Sequence, residues 1–159
     1  MARLPDSAIA LIESGAHGHL ATTNPDGSPQ ISMVWVGVED DELVVAALTP
    51  RRKLRNIERD PRVAISFESP DHDAARERGS GGLRYYLGVT GTARVTEGGG
   101  PALLQRLARV HLGPDVKFPP GDSPPEGWIL RIIPERWHGY GPWTEPDDAE
   151  RQRRAAARR

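Results

Sequence analysis

Cysteine is absent from the 159-residue sequence. This absence excludes disulfide bonds, thiolate nucleophiles and zinc sites built on cysteine. It is also typical of proteins in reducing compartments, so we expect a cytoplasmic protein. A Walker phosphate loop, a G-x-S-x-G segment and a G-x-G-x-x-G between a strand and a helix are absent too. The sequence therefore gives no support to a kinase, a serine hydrolase or a Rossmann dehydrogenase.

A long apolar run and a large net charge are lacking as well. Asp6 and Glu13 interrupt the apolar residues near the start, so no signal peptide or membrane span is indicated there. With 21 basic and 22 acidic residues, the formal net charge is −1. This balance does not favour nucleic acid or an anionic membrane as a partner. The acidic residues 145–150 offset much of the charge of the arginine-rich residues 151–159, so the tail does not change that expectation.

Glycine and proline, by contrast, are abundant, with 17 and 15 residues, which predicts many turns. Periodic apolar residues between the turns predict helices over 5–15, 49–60 and 100–113, and strands over 16–23, 29–39, 42–49, 62–68, 83–96 and 128–137. Because strands dominate and tight turns join most of them, we predict a mainly β (α+β) fold, an antiparallel β-barrel with peripheral helices. Residues 1–143 form the single predicted domain, and residues 144–159 a flexible charged tail.

One short stretch is strongly basic and follows a strand with the composition of a buried one; its basic residues are Arg51, Arg52, Lys53 and Arg55. Thr49 and Pro50 are typical of a helix start, a hydroxyl cap followed by proline. If the helix begins there, Arg51 and Lys53 point to nearly opposite sides; if it begins nearer Lys53, both can converge on one anion. A cation at a helix N-terminus opposes the dipole by about 0.3–1 kcal/mol. Spacing alone leaves an anion site and a solvated helix start equally open.

Four segments of the sequence occur in the order GHLATTNPDGSPQISMVWV, LTPRRKLRNIERDPRVAI, YYLGVTGTARVT and PERWHGYGPW, and span most of residues 7–143. In combination they resemble the split β-barrel family of flavin- and deazaflavin-dependent oxidoreductases, which is related to pyridoxamine 5′-phosphate oxidase. The first two segments are specific together, whereas the glycine-rich third is weak alone. The resemblance implies a split antiparallel β-barrel and a homodimer with its cofactor at the subunit interface.

The resemblance also implies which residues bind the cofactor. Arg51 and Lys53 would bind its phosphate, with a hydroxyl hydrogen bond from Thr49. Gln30 and the strand Ser32–Val34 would line the ring, and backbone groups of that strand edge can pair with the pyrimidine portion. The full implied set is Gln30, Ser32, Met33, Val34, Thr49, Arg51, Lys53 and Tyr86. No catalytic residue is assigned beyond Tyr86, a candidate proton donor.

The motif T-x-R-x-K-x-x-N-x-x-x-D-P-R, which runs from Thr49 to Arg62, resembles the branch of the family that uses coenzyme F420. This implies an oxidoreductase that transfers a hydride from reduced F420 to a small conjugated substrate. The FMN branch is the alternative, with an activity like that of pyridoxamine-phosphate oxidase. A third possibility is a module that binds a flavin, F420 or haem without turnover.

Two further groups of residues, a pair of histidines and a set of aromatic residues, could have a functional role or could simply pack in the fold. His17 and His19 share a strand face, but no third ligand stands at a matching spacing, so we expect no metal site. The aromatic residues near the end of the domain are Trp137, Tyr140 and Trp143, which we expect at the dimer interface, where they would also wall the pocket. Trp35 points away from the face of Gln30 and is expected in the core.

Overall fold

The structure, a computed structural model, describes residues 3–70 and 84–144. Its helices are α1 (Asp6–Glu13), α2 (Arg52–Arg59) and α3 (Gly100–His111). Its strands are β1 (Gly18–Thr23), β2 (Pro29–Val34), β3 (Gly37–Glu39), β4 (Glu42–Ala47), β5 (Arg62–Glu68), β6 (Tyr86–Glu97) and β7 (Trp128–Tyr140). Within the described ranges, no helix is both long and apolar enough to cross a bilayer.

All these strands belong to one antiparallel sheet with the order β2–β1–β5–β6–β7–β4–β3. The two edge strands, β2 and β3, are consecutive in the sequence, and only Trp35 and Val36 separate them. A connection this short spans at most about 10 Å, so the two edges of the sheet must lie close together. The sheet therefore curls into a barrel, which confirms the predicted split antiparallel β-barrel with peripheral helices.

The barrel interior is the hydrophobic core, and alternation along the strands determines which residues enter it. On β5, Val63, Ile65 and Phe67 are buried while the residues between them are exposed, as the sequence pattern predicts. Helix α2 packs Leu54 and Ile57 into the same core. The largest fully buried side chains are Phe67, Ile12, Leu20, Leu43, Ile65, Leu87, Leu130 and Ile132.

Gly88 and Gly91 interrupt the long strand β6, a pattern that predicts a bulge or a sharp bend, and the irregularity lies at Gly91. The pairing of β6 with β7 shifts register between Thr90 and Gly91. A Cβ atom at Gly91 would collide with the backbone carbonyl oxygen of Ile133 on β7. Only glycine allows the two backbones to approach this closely, and the bulge helps the sheet to curl into a barrel.

Two element boundaries differ from the sequence prediction. The strand predicted over residues 29–39 is broken into β2 and β3, which pair with different partners, β1 and β4. Helix α2 begins at Arg52 rather than at Thr49–Pro50, because the Arg51 backbone is extended (φ −94°, ψ 161°). The polar composition of residues 69–82 predicts a loop, which lies outside the described residues from 71 onward. The predicted tail lies outside them from 145 onward.

Trp35 packs in a second apolar cluster rather than in the barrel core. It is half-buried and stacks on His111, with ring centroids 5.0 Å apart and planes 10° apart. The same cluster contains Val44, Leu103 and Leu107, so it joins α3 to the sheet. The expectation that Trp35 packs in a core is therefore confirmed, and the core in question is the cluster between α3 and the sheet.

Trp143 lies in the barrel core of its own subunit. It is 5% exposed, and its Nε1 donates a hydrogen bond to the backbone oxygen of Tyr86 at 2.9 Å. Trp137 packs against the same core. Trp143 therefore has no surface to offer a second subunit, and the expectation that it packs at an interface is wrong.

Candidate functional site

The N-terminal end of α2 brings two cations together. Arg51 directly precedes the first helical residue, and its Nε donates a hydrogen bond to Thr49 Oγ1 at 3.1 Å. Lys53 lies in the first helical turn; burial, and then the positive charge of Arg51, lower the pKa of its ammonium group. The effect of Arg51 on Lys53 weakens with distance, so the two side chains lie near each other. The late helix start thus produces the arrangement in which Arg51 and Lys53 can converge on one anion.

This cation pair has no anionic partner in the described part of the chain. None of the ion pairs formed by residues 3–70 and 84–144 includes Arg51 or Lys53. No side chain caps the first turn of α2 either, so its free N–H groups and the helix dipole add to the positive potential. A half-buried ammonium beside a guanidinium is unfavourable without a counter-charge. The geometry therefore fits an oxyanion such as a phosphate.

The lowered pKa of Lys53 leads to a prediction about pH. Phosphate should bind more weakly as the pH rises, and the loss should begin below the ordinary lysine pKa of 10.5, because the protonated Lys53 attracts the anion and the neutral amine does not. Calorimetric titration of inorganic phosphate between about pH 8 and about pH 10 measures this loss. A Lys53→Ala variant should show a flatter profile over that range. An identical pH dependence in the variant would contradict the assignment to Lys53.

The edge strand β2 offers a second group of the predicted residues. Gln30 and Ser32 are half-buried and Val34 is buried on one face, whereas Ile31 and Met33 are exposed on the other. The Ser32 Oγ is buried and has no hydrogen-bond partner among the described residues. An unpaired buried hydroxyl points to a missing partner. Met33 therefore offers only its backbone on the Gln30 face, and the Ser32 hydroxyl lies below the surface.

A buried polar network, which the sequence analysis missed, joins α2 to β2. Asn56 on α2 is 1% exposed, and its Nδ2 donates to Thr22 Oγ1 at 3.0 Å. The Thr22 hydroxyl in turn donates to Gln30 Oε1 at 2.9 Å. Lys53 lies one turn before Asn56 on the same side of the helix. The helix that carries Arg51 and Lys53 is therefore joined by hydrogen bonds to the predicted ring residue Gln30.

Tyr86 lies apart from this site within one subunit. It is 43% exposed on the outer face of β6, at the end of the strand that pairs with Glu68. Strands β5 and β1 stand between β6 and β2, and the pairing places Gln30 level with Gly91, five residues further along β6. The separation along the sheet is roughly 20 Å. A role for Tyr86 at the site therefore requires a second copy of the chain and stays a prediction.

Several solved structures have folds similar to that of this chain. The structure of an F420 reductase matches with a TM-score of 0.65 and 28% identity, over 85% of this chain and 98% of that one. HupZ from Group A Streptococcus matches with a TM-score of 0.60 and 17% identity, over 89% and 98%. General Stress Protein 26 from Bacillus anthracis matches with a TM-score of 0.53 and 22% identity, over 82% and 88%. At these identities the last two show a similarity of fold only.

The sequence profile of the pyridoxamine 5′-phosphate oxidase family matches residues 4–140, which is most of the chain. The match includes the cation pair of α2, the edge strand β2 and the network between them. Members of this family share the split barrel, and the family includes flavin-binding oxidoreductases. The chain therefore belongs to the pyridoxamine 5′-phosphate oxidase family.

Proposed function

We propose that this protein is an oxidoreductase that binds coenzyme F420 and uses it to transfer a hydride to a small, flat, conjugated substrate. The observation that carries the proposal is the pair Arg51 and Lys53, which has no carboxylate partner among residues 3–70 and 84–144. A phosphorylated cofactor supplies the anion that this pair lacks. Membership of a family with flavin-binding oxidoreductases makes a flavin-type cofactor the natural source of that phosphate.

One group of residues in the site binds the phosphate of the cofactor, and a second group binds its ring. Arg51 and Lys53 hold the phosphate, and Thr49, already hydrogen-bonded to Arg51, orients the guanidinium. Gln30 and the open backbone edge of β2, which includes Ser32, receive the ring. When bound, the cofactor supplies the hydride. The protein contributes mainly orientation, because it fixes the plane of the donor against the substrate.

The preference for F420 over FMN has two supports. The structure of an F420 reductase is 28% identical over 85% of this chain. The motif from Thr49 to Arg62 also resembles the F420 branch of the family. FMN remains the alternative cofactor, because the family profile describes a pyridoxamine 5′-phosphate oxidase.

Turnover tests this proposal directly. Reduced F420 and reduced FMN are each supplied with quinones and enones, and oxidation of the cofactor is followed by absorbance. We expect the protein to accelerate the oxidation of F420 by at least one acceptor. Acceleration with FMN alone would favour the alternative cofactor. Tight binding of either cofactor without acceleration by any acceptor would count against an enzyme and in favour of a binding module.

We also propose that the chain forms a homodimer with the cofactor at the subunit interface. Ile31 and Met33 expose 66% and 65% of their surface on the outer face of β2. Across the strands, Ile31 is level with the small residues Ala21 and Ala64, which leave a shallow apolar surface. Exposed apolar side chains of this kind mark an interaction surface. A second copy of the chain on this face also provides a route by which Tyr86 reaches the site.

Substitution on that face tests the dimer. The double variant Ile31→Asp/Met33→Asp should sediment as a monomer, because two carboxylates would be buried without partners at the interface. Sedimentation velocity at micromolar concentration measures the change. Val110→Asp, at a residue of α3 that is 50% exposed, serves as the control and should remain dimeric. A wild-type chain that sediments as a monomer would refute the dimer.

A further inference from the structure

A directed hydrogen-bond network runs from α2 to β2, and its direction is set at Arg59. The Arg59 guanidinium donates to Asn56 Oδ1, at 3.3 Å from Nη1 and 3.4 Å from Nη2, and also to the backbone oxygen of Thr23. A guanidinium can only donate. The carbonyl oxygen of the buried Asn56 amide must therefore face Arg59, and its Nδ2 must face away, toward β1.

One branch of the network ends at a carboxylate, which fixes the same direction from the other end. Asn56 Nδ2 donates to Asn24 Oδ1 at 3.1 Å, and Asn24 Nδ2 donates to the Ser28 hydroxyl at 3.1 Å. The Ser28 hydroxyl donates to Asp26 Oδ1 at 2.6 Å, and the hydrogen bonds from Ser28 lower the pKa of Asp26. An ionised carboxylate can only accept. A donor at one end and an acceptor at the other leave this branch a single orientation.

The other branch ends at Gln30 and has no such terminus. Asn56 donates to the Thr22 hydroxyl, and the one proton of Thr22, a residue 3% exposed, is donated to Gln30 Oε1 at 2.9 Å. The carbonyl of Gln30 is thereby occupied, and its Nε2 is the group left over. In the described part of the chain its one hydrogen-bond acceptor is the backbone oxygen of Ile31 at 3.4 Å, near the limit of a hydrogen bond. The branch therefore ends on a donor that lacks a good acceptor.

We propose that Asn56 and Thr22 are positioning residues that hold the Gln30 amide with its N–H outward, so that the cofactor edge beside β2 must present a hydrogen-bond acceptor there. This inference rests on the proposed function, because it assigns Gln30 to the ring of the cofactor. The carbonyl oxygens of a flavin or deazaflavin pyrimidine ring are such acceptors. A ring edge with only N–H groups at that point would face the Gln30 donor and be rejected.

Parallel titrations with F420, FMN and inorganic phosphate test the inference. Thr22→Val keeps the shape of the side chain and removes the hydroxyl, so the affinity for both cofactors should fall about ten-fold. Phosphate, which has no ring, should bind as in the wild type, and Thr22→Ser should restore cofactor affinity. Asn56→Ala should cause a similar loss, and the double variant Thr22→Val/Asn56→Ala should lose no more than either single variant, because both break one chain of hydrogen bonds.

The outcomes separate this inference from the proposed function. If the wild type binds neither cofactor, the proposed function fails and the inference falls with it. If the wild type binds a cofactor and Thr22→Val binds it equally well, or if the two losses are additive, the inference alone is overturned. If Thr22→Val also loses phosphate binding, the variant is too disrupted to test the inference, and NMR of the wild type tests it instead. Its Gln30 side-chain amide signals, identified by their loss in Gln30→Glu, should move downfield on saturation with cofactor, and unmoved signals would overturn the inference.

Discussion

Replacing both Arg51 and Lys53 with alanine should lower the affinity for F420 or FMN by about 10²- to 10⁴-fold. Each charge-assisted hydrogen bond contributes about 1.5–3 kcal/mol, and about 1.4 kcal/mol corresponds to a tenfold change in Kd. The full effect is expected because no ion pair in residues 3–70 and 84–144 diverts either cation from the phosphate. Fluorescence titration of either cofactor measures the loss.

Two controls show whether the loss belongs to the phosphate. Arg109→Ala removes an exposed arginine of α3 that forms no ion pair within the described ranges, and should leave the affinity unchanged. Riboflavin, which has the ring and lacks the phosphate, should bind equally to the wild type and to the double variant. If the double variant binds both phosphorylated cofactors as tightly as the wild type does, Arg51 and Lys53 do not bind the phosphate.

Gly91→Ala should destabilise the fold by about 3 kcal/mol, at the upper end of the cost of overpacking a core. A Cβ atom at this position meets the backbone oxygen of Ile133, which cannot rotate away as the end of a side chain can. The expected fall in melting temperature is about 6–12 °C for a chain of this size. Urea denaturation and thermal unfolding by circular dichroism measure the two quantities.

The neighbouring substitution Thr90→Ala is the matched control. Thr90 lies on the other side of the register shift and is exposed, so the change should cost less than about 1 kcal/mol. Equal stability of the two variants would show that the bulge does not require glycine. Loss of cofactor binding by Gly91→Ala beyond the loss of folded protein would show that the bend also shapes the site.

Features that depend on neighbouring residues were predictable from the sequence. Alternation placed Val63, Ile65 and Phe67 on the inner face of β5, where they are buried. Glycines at positions 88 and 91 predicted a bulge or bend in β6, and the register shift confirms one at Gly91. In both cases the signal lies within a few residues of the structure it determines, because strand periodicity and glycine geometry are local properties.

Features that depend on distant partners were not predictable. The alternation of residues 29–39 continues through Trp35 and Val36, although the strand there leaves β1 and joins β4. Periodicity reports which face a residue occupies, and it carries no information about the pairing partner. The start of α2 was misplaced for a related reason, since Thr49 accepts a hydrogen bond from the Arg51 side chain instead of capping the helix.

The candidate site likewise contains residues that the local sequence predicts and residues that depend on distant partners. Charge and spacing raised Arg51 and Lys53 as candidates, and the late start of α2 brings them together. Thr22 and Asn56 were missed because 34 positions separate the two residues that form the hydrogen bond. A local signal was nevertheless present, since Asn56 stands beside Leu54 and Ile57 on the buried side of a helix. An asparagine in such a position needs a buried partner, and searching for that partner points toward the site.

The central claim is that Arg51 and Lys53 hold the phosphate of a flavin-type cofactor whose ring lies along β2. A crystal structure of the chain with F420 or FMN tests it most directly. We expect phosphate oxygens within hydrogen-bond distance of both side chains, and an acceptor atom of the ring beside Gln30 Nε2. A bound cofactor whose phosphate lies elsewhere, with Arg51 and Lys53 turned to solvent, would contradict the account.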